Sequence, residues 1–270
     1  MKKISVSIPG GNGRMGKTLL GLIIENEKFN LSSSTCLPNE DEVGIDIGIL
    51  VGKAKISKEL NTDTSSLFQN SDVLIDFTVP DATMFHARKC YENNLSIVIG
   101  TTGLNKLQEE ELLNLSKKIP IVYSANFSIG VTLLSSLVSN STQMLGAEWD
   151  IEILEMHHKH KIDAPSGTAL LLGKSAAEAR GQDLSSVKSV SRNGIVGKRK
   201  ETEIGFAVLR GGDVVGEHSV IFSSSGERIE LVHKATDRSI FASGALRASQ
   251  WAATADPGLY SLSDLSLIHI

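Results

Sequence analysis

The sequence predicts an α/β fold, in which a doubly wound parallel sheet is followed by a C-terminal α+β domain. A buried strand, 4–8, runs directly into a glycine-rich turn that opens a helix. Strand-like and helical stretches then alternate as far as Ser128, which is typical of parallel strands joined by helices. After Ser128 this alternation stops. We therefore expect a second domain to begin there.

Each element of the first part follows from its local pattern. The helix after the glycine turn extends to about Glu27, and short apolar runs predict the strands that follow it. The further strands are predicted at 72–79, 96–99 and 120–123, and the helices between them at 82–93 and 105–117.

The second part predicts a different arrangement. It has helices at 129–145 and 167–180, and strands at 150–155, 204–209, 218–222 and 228–233. Turns at 211–213 and 225–226 join the last three strands, which favours an antiparallel meander over another βαβ unit. The Ser-, Gly- and Lys/Arg-rich stretch 185–200 predicts a long mobile loop, and a helix at 239–253 precedes a turn at 256–258.

Composition limits the possible partners. The chain has 270 residues, 41% hydrophobic content and a formal charge of −4, so there is no basic field to attract nucleic acid. Cys36 and Cys90 show no CxxC spacing, which favours a reducing compartment. No apolar run approaches the roughly 18 residues of a membrane span, and no cleavage signal follows Met1. We expect a cytoplasmic protein without a membrane partner.

The glycine-rich turn is the first candidate binding site. Glycines at 10, 13 and 16, with another at 11, allow the tight turn, the close backbone approach and the helix–strand contact that a dinucleotide pyrophosphate needs. The alternative is a sharp turn that binds nothing. Arg14 adds a possible charge contact to a phosphate. No acidic residue for the adenosine ribose stands at the expected distance, where Cys36 and Leu37 are found.

Small polar residues follow three of the other predicted strands, where ligands bind in open α/β sheets. Their hydroxyl and amide groups can hydrogen-bond a nicotinamide carboxamide, although turns and helix caps use the same residue types. The three segments that contain these polar residues are Phe77-Thr78, Gly100-Thr101-Thr102-Gly103 and Ser124-Ala125-Asn126-Phe127.

A cationic segment, 157–161, contains three histidines and two lysines directly ahead of a capped helix start at Ser166. The free N–H groups of a helix N-terminus favour negative charge, so the segment predicts a pocket for a small acid with more than one carboxylate. A zinc site is the alternative. It fits poorly because HExxH and CxxC motifs are missing and because Lys159 and Lys161 would repel a cation, so no metal is expected.

The segment from Glu155 to Leu170 resembles the signature of the dihydrodipicolinate reductase family, whose members reduce 4-hydroxy-tetrahydrodipicolinate in diaminopimelate and lysine biosynthesis. The similarity spans nearly the whole chain. Its other motifs are Gly13-Arg14-Met15-Gly16, Asp76-Phe77-Thr78, Gly100-Thr101-Thr102-Gly103, Ser124-Ala125-Asn126-Phe127-Ser128, the 210–218 stretch and Pro257-Gly258-Leu259-Tyr260.

The resemblance implies roles by position. His157 and Lys161 match the catalytic pair, and we expect Lys161 to be the proton donor. The substrate positions are His158, Lys161, Gly167 and Thr168, beside the predicted N-cap Ser166. The nucleotide positions are Gly10, Gly11, Asn12, Gly13, Arg14, Met15, Gly100, Thr101, Thr102, Ser124, Ala125, Asn126 and Phe127.

The resemblance also implies a Rossmann-type dinucleotide-binding domain over 1–128, completed by the C-terminal segment 237–270. The segment 129–236 would form a mixed-sheet domain for substrate binding and oligomerisation, in a homotetramer. Many family members carry an acidic residue and an arginine at positions 36–37, so Cys36 and Leu37 leave NADH and NADPH both open as the cofactor. A non-catalytic nucleotide or metabolite sensor on the same fold and a metal-dependent hydrolase are the competing functions.

Overall fold

The computed structural model describes residues 2–190 and 192–266. The chain divides into two compact units, with boundaries between Ser128 and Ile129 and between Arg238 and Ser239. The first unit therefore contains both ends of the described chain, and the second contains its middle.

The elements are numbered along the chain. The strands are β1 Ile4–Pro9, β2 Phe29–Thr35, β3 Val73–Asp76, β4 Ser96–Ile99, β5 Pro120–Tyr123, β6 Asp150–His157, β7 Lys188–Ser189, β8 Ile204–Arg210, β9 Gly216–Ser224, β10 Glu227–Ala235 and β11 Gly258–Tyr260. The helices are α1 Arg14–Glu25, α2 Ile47–Leu50, α3 Pro80–Asn93, α4 Lys106–Leu115, α5 Ile129–Leu145, α6 Gly167–Ala179, α7 Leu184–Val187, α8 Ser239–Ala252 and α9 Leu262–Ser266, with a 3₁₀ helix at Thr64–Phe68.

The first unit contains a six-stranded sheet in the order β11-β5-β4-β3-β1-β2. All its strand pairs are parallel. Strands β3 and β4 are buried along their whole length, as expected for strands covered by helices on both faces. The doubly wound parallel sheet that the sequence predicts is confirmed. Because the strands are parallel, the loops that follow β1 and β3 leave the same edge of the sheet. The strand order reverses at β1, and ligands bind at such a reversal in folds of this class.

Helix α8 comes from the C-terminal segment and packs into the core of the first unit through Ala242, Ala245 and Ala248. A Cβ added at Gly244 would lie 1.7 Å from the carbonyl oxygen of Phe127, so the helix and that loop meet too closely for a side chain. Small residues along α8 thus allow it to lie against the sheet. Within the described residues, no helix is long and apolar enough to cross a membrane.

The second unit contains a mixed sheet in the order β10-β9-β6-β8-β7. Strand β6 alternates between buried and half-buried residues, which is the pattern of a strand with one face on the core. The predicted antiparallel meander is wrong for β8. This strand pairs in parallel with β6, from Ile151 opposite Ile204 to His157 opposite Arg210, whereas β9 and β10 form an antiparallel hairpin.

Helix α6 provides the crossover between β6 and β8. The unit therefore contains a βαβ connection, whereas the turn residues had predicted a meander in its place. The reason lies in burial. Ile204 and Phe206 of β8 and Leu172 and Ala176 of α6 share one core with Ile153 of β6, and parallel pairing places them together.

Two further predictions hold only in part. The turn predicted at 256–258 contains a bend at Pro257, but it leads into β11, a strand that was not predicted and that pairs in parallel with β5. The loop predicted over 185–200 starts later, because part of α7 and the whole of β7 occupy 185–189, whereas 190 and 192–200 contain no helix or strand. Arg192 of the same stretch forms a bidentate pair with Glu152 of β6, with N–O distances of 2.7 and 2.8 Å.

Candidate active site

The glycine loop joins β1 to α1 in a conformation that requires glycine. Gly10 has φ +67°, and its carbonyl oxygen accepts from the N–H of Gly13 at 3.0 Å. A Cβ at Gly16 would lie 2.2 Å from that same oxygen, and one at Gly11 would lie 2.1 Å from Ser34 Oγ. Gly13 is the N-cap of α1, and no side chain among the described residues caps this helix. The first N–H groups of α1 are thus available to an anion.

The other residues of the loop differ in exposure. Arg14 is exposed, whereas Met15 packs against the core of the first unit. Asn12 Nδ2 lies 3.5 Å from Oε2 of Glu42, and Lys17 Nζ lies 3.4 Å from Oε1 of the same carboxylate. Burial raises the pKa of Glu42, but these two hydrogen bonds outweigh it and the net shift is downward. An ionised carboxylate therefore stands beside the glycine loop.

A buried carboxylate, Asp76, organises the loops after β3 and β4. Its Oδ1 accepts from the backbone N–H and the hydroxyl of Thr78 at 2.8 and 2.6 Å, and from Thr83 and Thr101 at 3.2 and 3.3 Å. Its Oδ2 lies 2.7 Å from Nδ1 of His86. The sequence identified Thr78 and Thr101 as candidates but gave no role to Asp76 or His86.

The remaining predicted cofactor residues stand at the same sheet edge. A Cβ at Gly100 would lie 2.1 Å from the Phe77 ring, and that ring lies 5.6 Å from the ring of Phe127. Ser124 Oγ donates to the carbonyl oxygen of Asn126 at 2.8 Å, which bends the loop after β5. Thr102 and Ala125 are exposed. All of the predicted cofactor residues lie in the first unit.

The predicted substrate residues lie in the second unit, around the end of β6. Glu155 is 1% exposed, and its Oε2 lies 2.6 Å from Nδ1 of His157. Arg210 binds both oxygens of this carboxylate, at 2.7 and 2.9 Å. The backbone N–H of Ser166 donates to Oε1 at 3.0 Å. Burial raises the pKa of Glu155, but hydrogen bonds from Arg210, His157 and Ser166 outweigh it, so the pKa is lowered overall.

Lys161 lies in the loop that leads to α6. Its Nζ forms an ion pair with Oδ1 of Asp163 at 2.9 Å. Arg210 Nη2 also donates to the carbonyl oxygen of Asp163 at 2.7 Å, so the loop is attached to the Glu155 cluster. Lys161 and His157 are thus linked through Asp163, Arg210 and Glu155.

Ser166 is the N-cap of α6, as predicted, and its hydroxyl accepts from the N–H of Ala169 at 3.1 Å. The same hydroxyl lies 2.9 Å from Nε2 of His218. Gly167 and Thr168 form the first turn of the helix, where the helix dipole favours negative charge. Burial, followed by the neighbouring charge of His157, lowers the pKa of His218 to about 4.

His158 faces a residue that the sequence analysis missed. Its Nε2 lies 3.3 Å from Nη2 of Arg238. Burial, followed by the charge of Arg238, lowers the pKa of His158. His160 and Lys159 are exposed.

Glu155, Arg210 and His218 were also without a separate role in the sequence analysis. Arg210 and His218 lie 55 and 52 residues along the chain from their partners Glu155 and Ser166, so spacing gave no signal. The structure places no group of three or more potential metal ligands within residues 2–190 and 192–266.

The first unit has the fold of the nucleotide-binding half of a Rossmann-type oxidoreductase. Two family models match the chain, and together they cover nearly its whole length. Residues 4–127 match the family model described as "Dihydrodipicolinate reductase, N-terminus", and residues 130–265 match "Dihydrodipicolinate reductase, C-terminus". The chain belongs to the dihydrodipicolinate reductase family, a family of NAD(P)H-dependent oxidoreductases.

Individual relatives agree. The chain is 46% identical over 263 residues to the 4-hydroxy-tetrahydrodipicolinate reductase of Parvibaculum lavamentivorans, covering 97% of each chain. It is 46% identical over 265 residues to the enzyme of that name from Rhodopseudomonas palustris, covering 98% of each. A solved structure, dipicolinate-bound dihydrodipicolinate reductase from Paenisporosarcina sp. TG-14, superposes with a TM-score of 0.78 at 25% identity, covering 97% of this chain and 99% of that one.

Proposed function

We propose that this chain reduces 4-hydroxy-tetrahydrodipicolinate to tetrahydrodipicolinate with NADH or NADPH, in diaminopimelate and lysine biosynthesis. Lys161 acts as the proton donor. Full-length similarity to reductases of this name supports the reaction. The observation that carries the assignment of residues is the hydrogen-bonded cluster of His157, Glu155 and Arg210, which joins the Lys161 loop to the N-terminus of α6.

The first unit fits a nicotinamide dinucleotide. The uncapped N-terminus of α1 offers N–H groups to a pyrophosphate, and the glycines at 10, 11 and 13 offer a backbone without side chains beside it. The exposed Thr102 offers a hydroxyl group for the nicotinamide end, and the Thr101 hydroxyl is held by Asp76 beside it. When bound, the nucleotide supplies the hydride.

Lys161 has the chemistry to complete the reduction. Loss of the substrate hydroxyl as water leaves a conjugated imine, and hydride addition to it places negative charge on the adjoining carbon and on the ring nitrogen. The product forms only when this enamine takes up a proton. The Lys161 ammonium can offset that charge and donate the proton, and His157 stands ready to assist or to relay it.

The two substrate carboxylates need separate partners. The N–H groups of Gly167 and Thr168 at the start of α6 suit one carboxylate, because the helix dipole also favours negative charge there. Ser166 acts indirectly, by capping α6. We assign the second carboxylate to His158, beside Arg238. Burial and the charge of Arg238 lower the pKa of His158 in the absence of substrate.

The test is to follow nicotinamide absorbance after mixing the protein with freshly made hydroxytetrahydrodipicolinate and each nucleotide. We expect oxidation of both NADH and NADPH that depends on the substrate. A protein that binds nucleotide but never oxidises it would instead be a sensor. That result would refute the proposal.

Assembly and location complete the proposal. We assign the second unit to oligomerisation, in a homotetramer, because β10 is an edge strand of its sheet with Ile229 and Val232 40% and 48% exposed. Sedimentation velocity measures this directly. A cytoplasmic location agrees with the biosynthetic reaction and with the two buried, unpaired cysteines, Cys36 and Cys90.

A further inference from the structure

The carboxylate of Glu155 accepts four hydrogen bonds. His157 Nδ1 and Arg210 Nη1 lie against Oε2 at 2.6 and 2.7 Å, and Arg210 Nη2 and the N–H of Ser166 lie against Oε1 at 2.9 and 3.0 Å. A carboxylate has about four acceptor positions, so this one is saturated. It is also 1% exposed, which leaves no place for water.

These contacts determine where the proton of His157 lies. An ionised carboxylate only accepts, so the nitrogen that faces it must carry hydrogen. Nδ1 of His157 is therefore the protonated nitrogen, and Nε2 is the atom left to exchange a proton. A Cβ added at Gly216 would lie 3.0 Å from that Nε2, so a residue without a side chain leaves room beside it.

The same carboxylate reaches the other two parts of the proposed site. Its bond to the Ser166 N–H holds the residue that caps α6. Its partner Arg210 donates to the carbonyl oxygen of Asp163, whose carboxylate holds Lys161.

We propose that Glu155 is a positioning residue that fixes the tautomer of His157 and holds the Lys161 loop and the α6 N-terminus around it. It touches no reacting atom. The inference rests on the proposed function for the roles of His157 and Lys161, but the tautomer itself follows from the geometry alone.

The decisive variant is Glu155→Gln. A glutamine has one acceptor oxygen, and its NH₂ group must replace either Oε1 or Oε2. At Oε1 the NH₂ would face two donors, Arg210 and the Ser166 N–H, whereas at Oε2 it would face Arg210 and His157. Only His157 can become an acceptor, so the second placement is favoured and moves the ring proton to Nε2.

Imidazole ¹⁵N spectra of the full-length protein, with His157 assigned through His157→Gln, measure this change. We expect the wild type to carry the proton on Nδ1 when the ring is neutral, and Glu155→Gln to carry it on Nε2. The variant should also lose roughly 100-fold in kcat, while the Kd for NADH changes by less than about twofold.

Glu152→Gln is the matched control. Glu152 is on the same strand and also forms a bidentate pair with an arginine, Arg192, with a further bond from Arg199 at 3.0 Å. The loss of the Glu152 carboxylate in this variant should leave the His157 tautomer and kcat unchanged. A general effect of breaking a glutamate–arginine pair on β6 would appear in both variants.

Arg210→Lys tests the second part of the proposal. The substitution keeps a positive charge beside Glu155. It removes the planar guanidinium group that also donates to the carbonyl oxygen of Asp163. We expect the His157 tautomer to be retained and the substrate KM to rise about 10-fold. Unchanged steady-state constants would overturn the link from Glu155 to the Lys161 loop.

Wild-type protein with its neutral His157 protonated on Nε2 would overturn the inference, even if Glu155→Gln fails to fold. So would a folded Glu155→Gln protein with an unchanged tautomer. Absence of reductase activity in the wild type would refute the proposed function instead, because the tautomer is read without substrate.

Discussion

The Nζ of Lys161 lies 2.9 Å from Oδ1 of Asp163, so the proposed proton donor is held by a carboxylate of its own loop. The hydrogen bond from Lys161, which outweighs an opposing effect of burial, lowers the pKa of Asp163. The Lys161 side chain is 21% exposed and that of Asp163 is 54% exposed. A substrate carboxylate can therefore compete with Asp163 for the ammonium group.

Lys161→Ala should reduce kcat by roughly 10² or more, because the general acid is lost. Nucleotide binding should stay intact, since the proposed cofactor residues belong to the other unit. Steady-state kinetics and NADH fluorescence titration measure the two effects. Lys159→Ala is the control, because Lys159 is exposed and carries the same charge two positions away. Near-normal kcat in Lys161→Ala, or loss of NADH binding without substrate, would contradict the assigned role.

His158→Ala should raise the substrate KM more than it lowers kcat. The ring is proposed to orient a carboxylate, which is an interaction made in both the ground state and the transition state. We expect a KM increase of about 10-fold and a kcat decrease below about threefold. His160→Ala serves as the control because His160 is exposed. The assignment fails if kcat falls and KM stays constant.

Both nucleotides should be used, with a preference below roughly 100-fold, which corresponds to about 2.7 kcal/mol. Cys36 is 8% exposed and Leu37 is 70% exposed, and neither offers a charge to the adenosine ribose or to a 2′-phosphate. Two acidic groups, Glu40 and Glu42, stand near this position, since after burial both raise the pKa of the Cys36 thiol.

A 2′-phosphate carries close to two negative charges, and Glu42 should repel it. Glu42→Gln should therefore tighten NADPH about threefold more than NADH, in fluorescence titrations without substrate. Lys53→Ala is the control variant. The ratio of its Kd values for NADPH and NADH should equal that of the wild type, because Lys53 forms an ion pair with Glu25. A wild-type preference above 100-fold would reveal a contact that these residues do not explain.

The sequence predicted those local features whose physical cause lies within one short segment of the chain. The glycine spacing at 10, 13 and 16 predicted the turn, because the steric need for glycine is set within seven residues. Ser166 was predicted as an N-cap, because a cap is made by a residue and the helix directly after it.

Long-range partners were not readable. The turn at 211–213 is compatible with a meander, and only the shared core of α6, β6 and β8 favours parallel pairing with β6. Arg210 therefore reaches Glu155 from the neighbouring strand, opposite His157 in the register. The Asp76–His86 pair is closer in sequence, but it joins the end of β3 to the middle of α3, and a spacing of ten residues gives no signal of that contact.

The stability of the protein should fall as pH decreases below about 6.5, in part because of His218. Burial, followed by the charge of His157, lowers the pKa of His218 from 6.5 to about 4. The unfolded chain then binds a proton that the folded chain does not, at any pH between these values. The contribution of His218 is complete above the unfolded pKa and is lost as pH falls towards the folded pKa.

Urea unfolding of wild type and His218→Gln measures this contribution. Glutamine can still donate to Ser166 but does not titrate. Between about pH 7.5 and about pH 5, the wild type should lose about 2 kcal/mol more unfolding free energy than the variant. Equal pH dependence in the two proteins would mean that His218 is not held neutral beneath the α6 N-terminus.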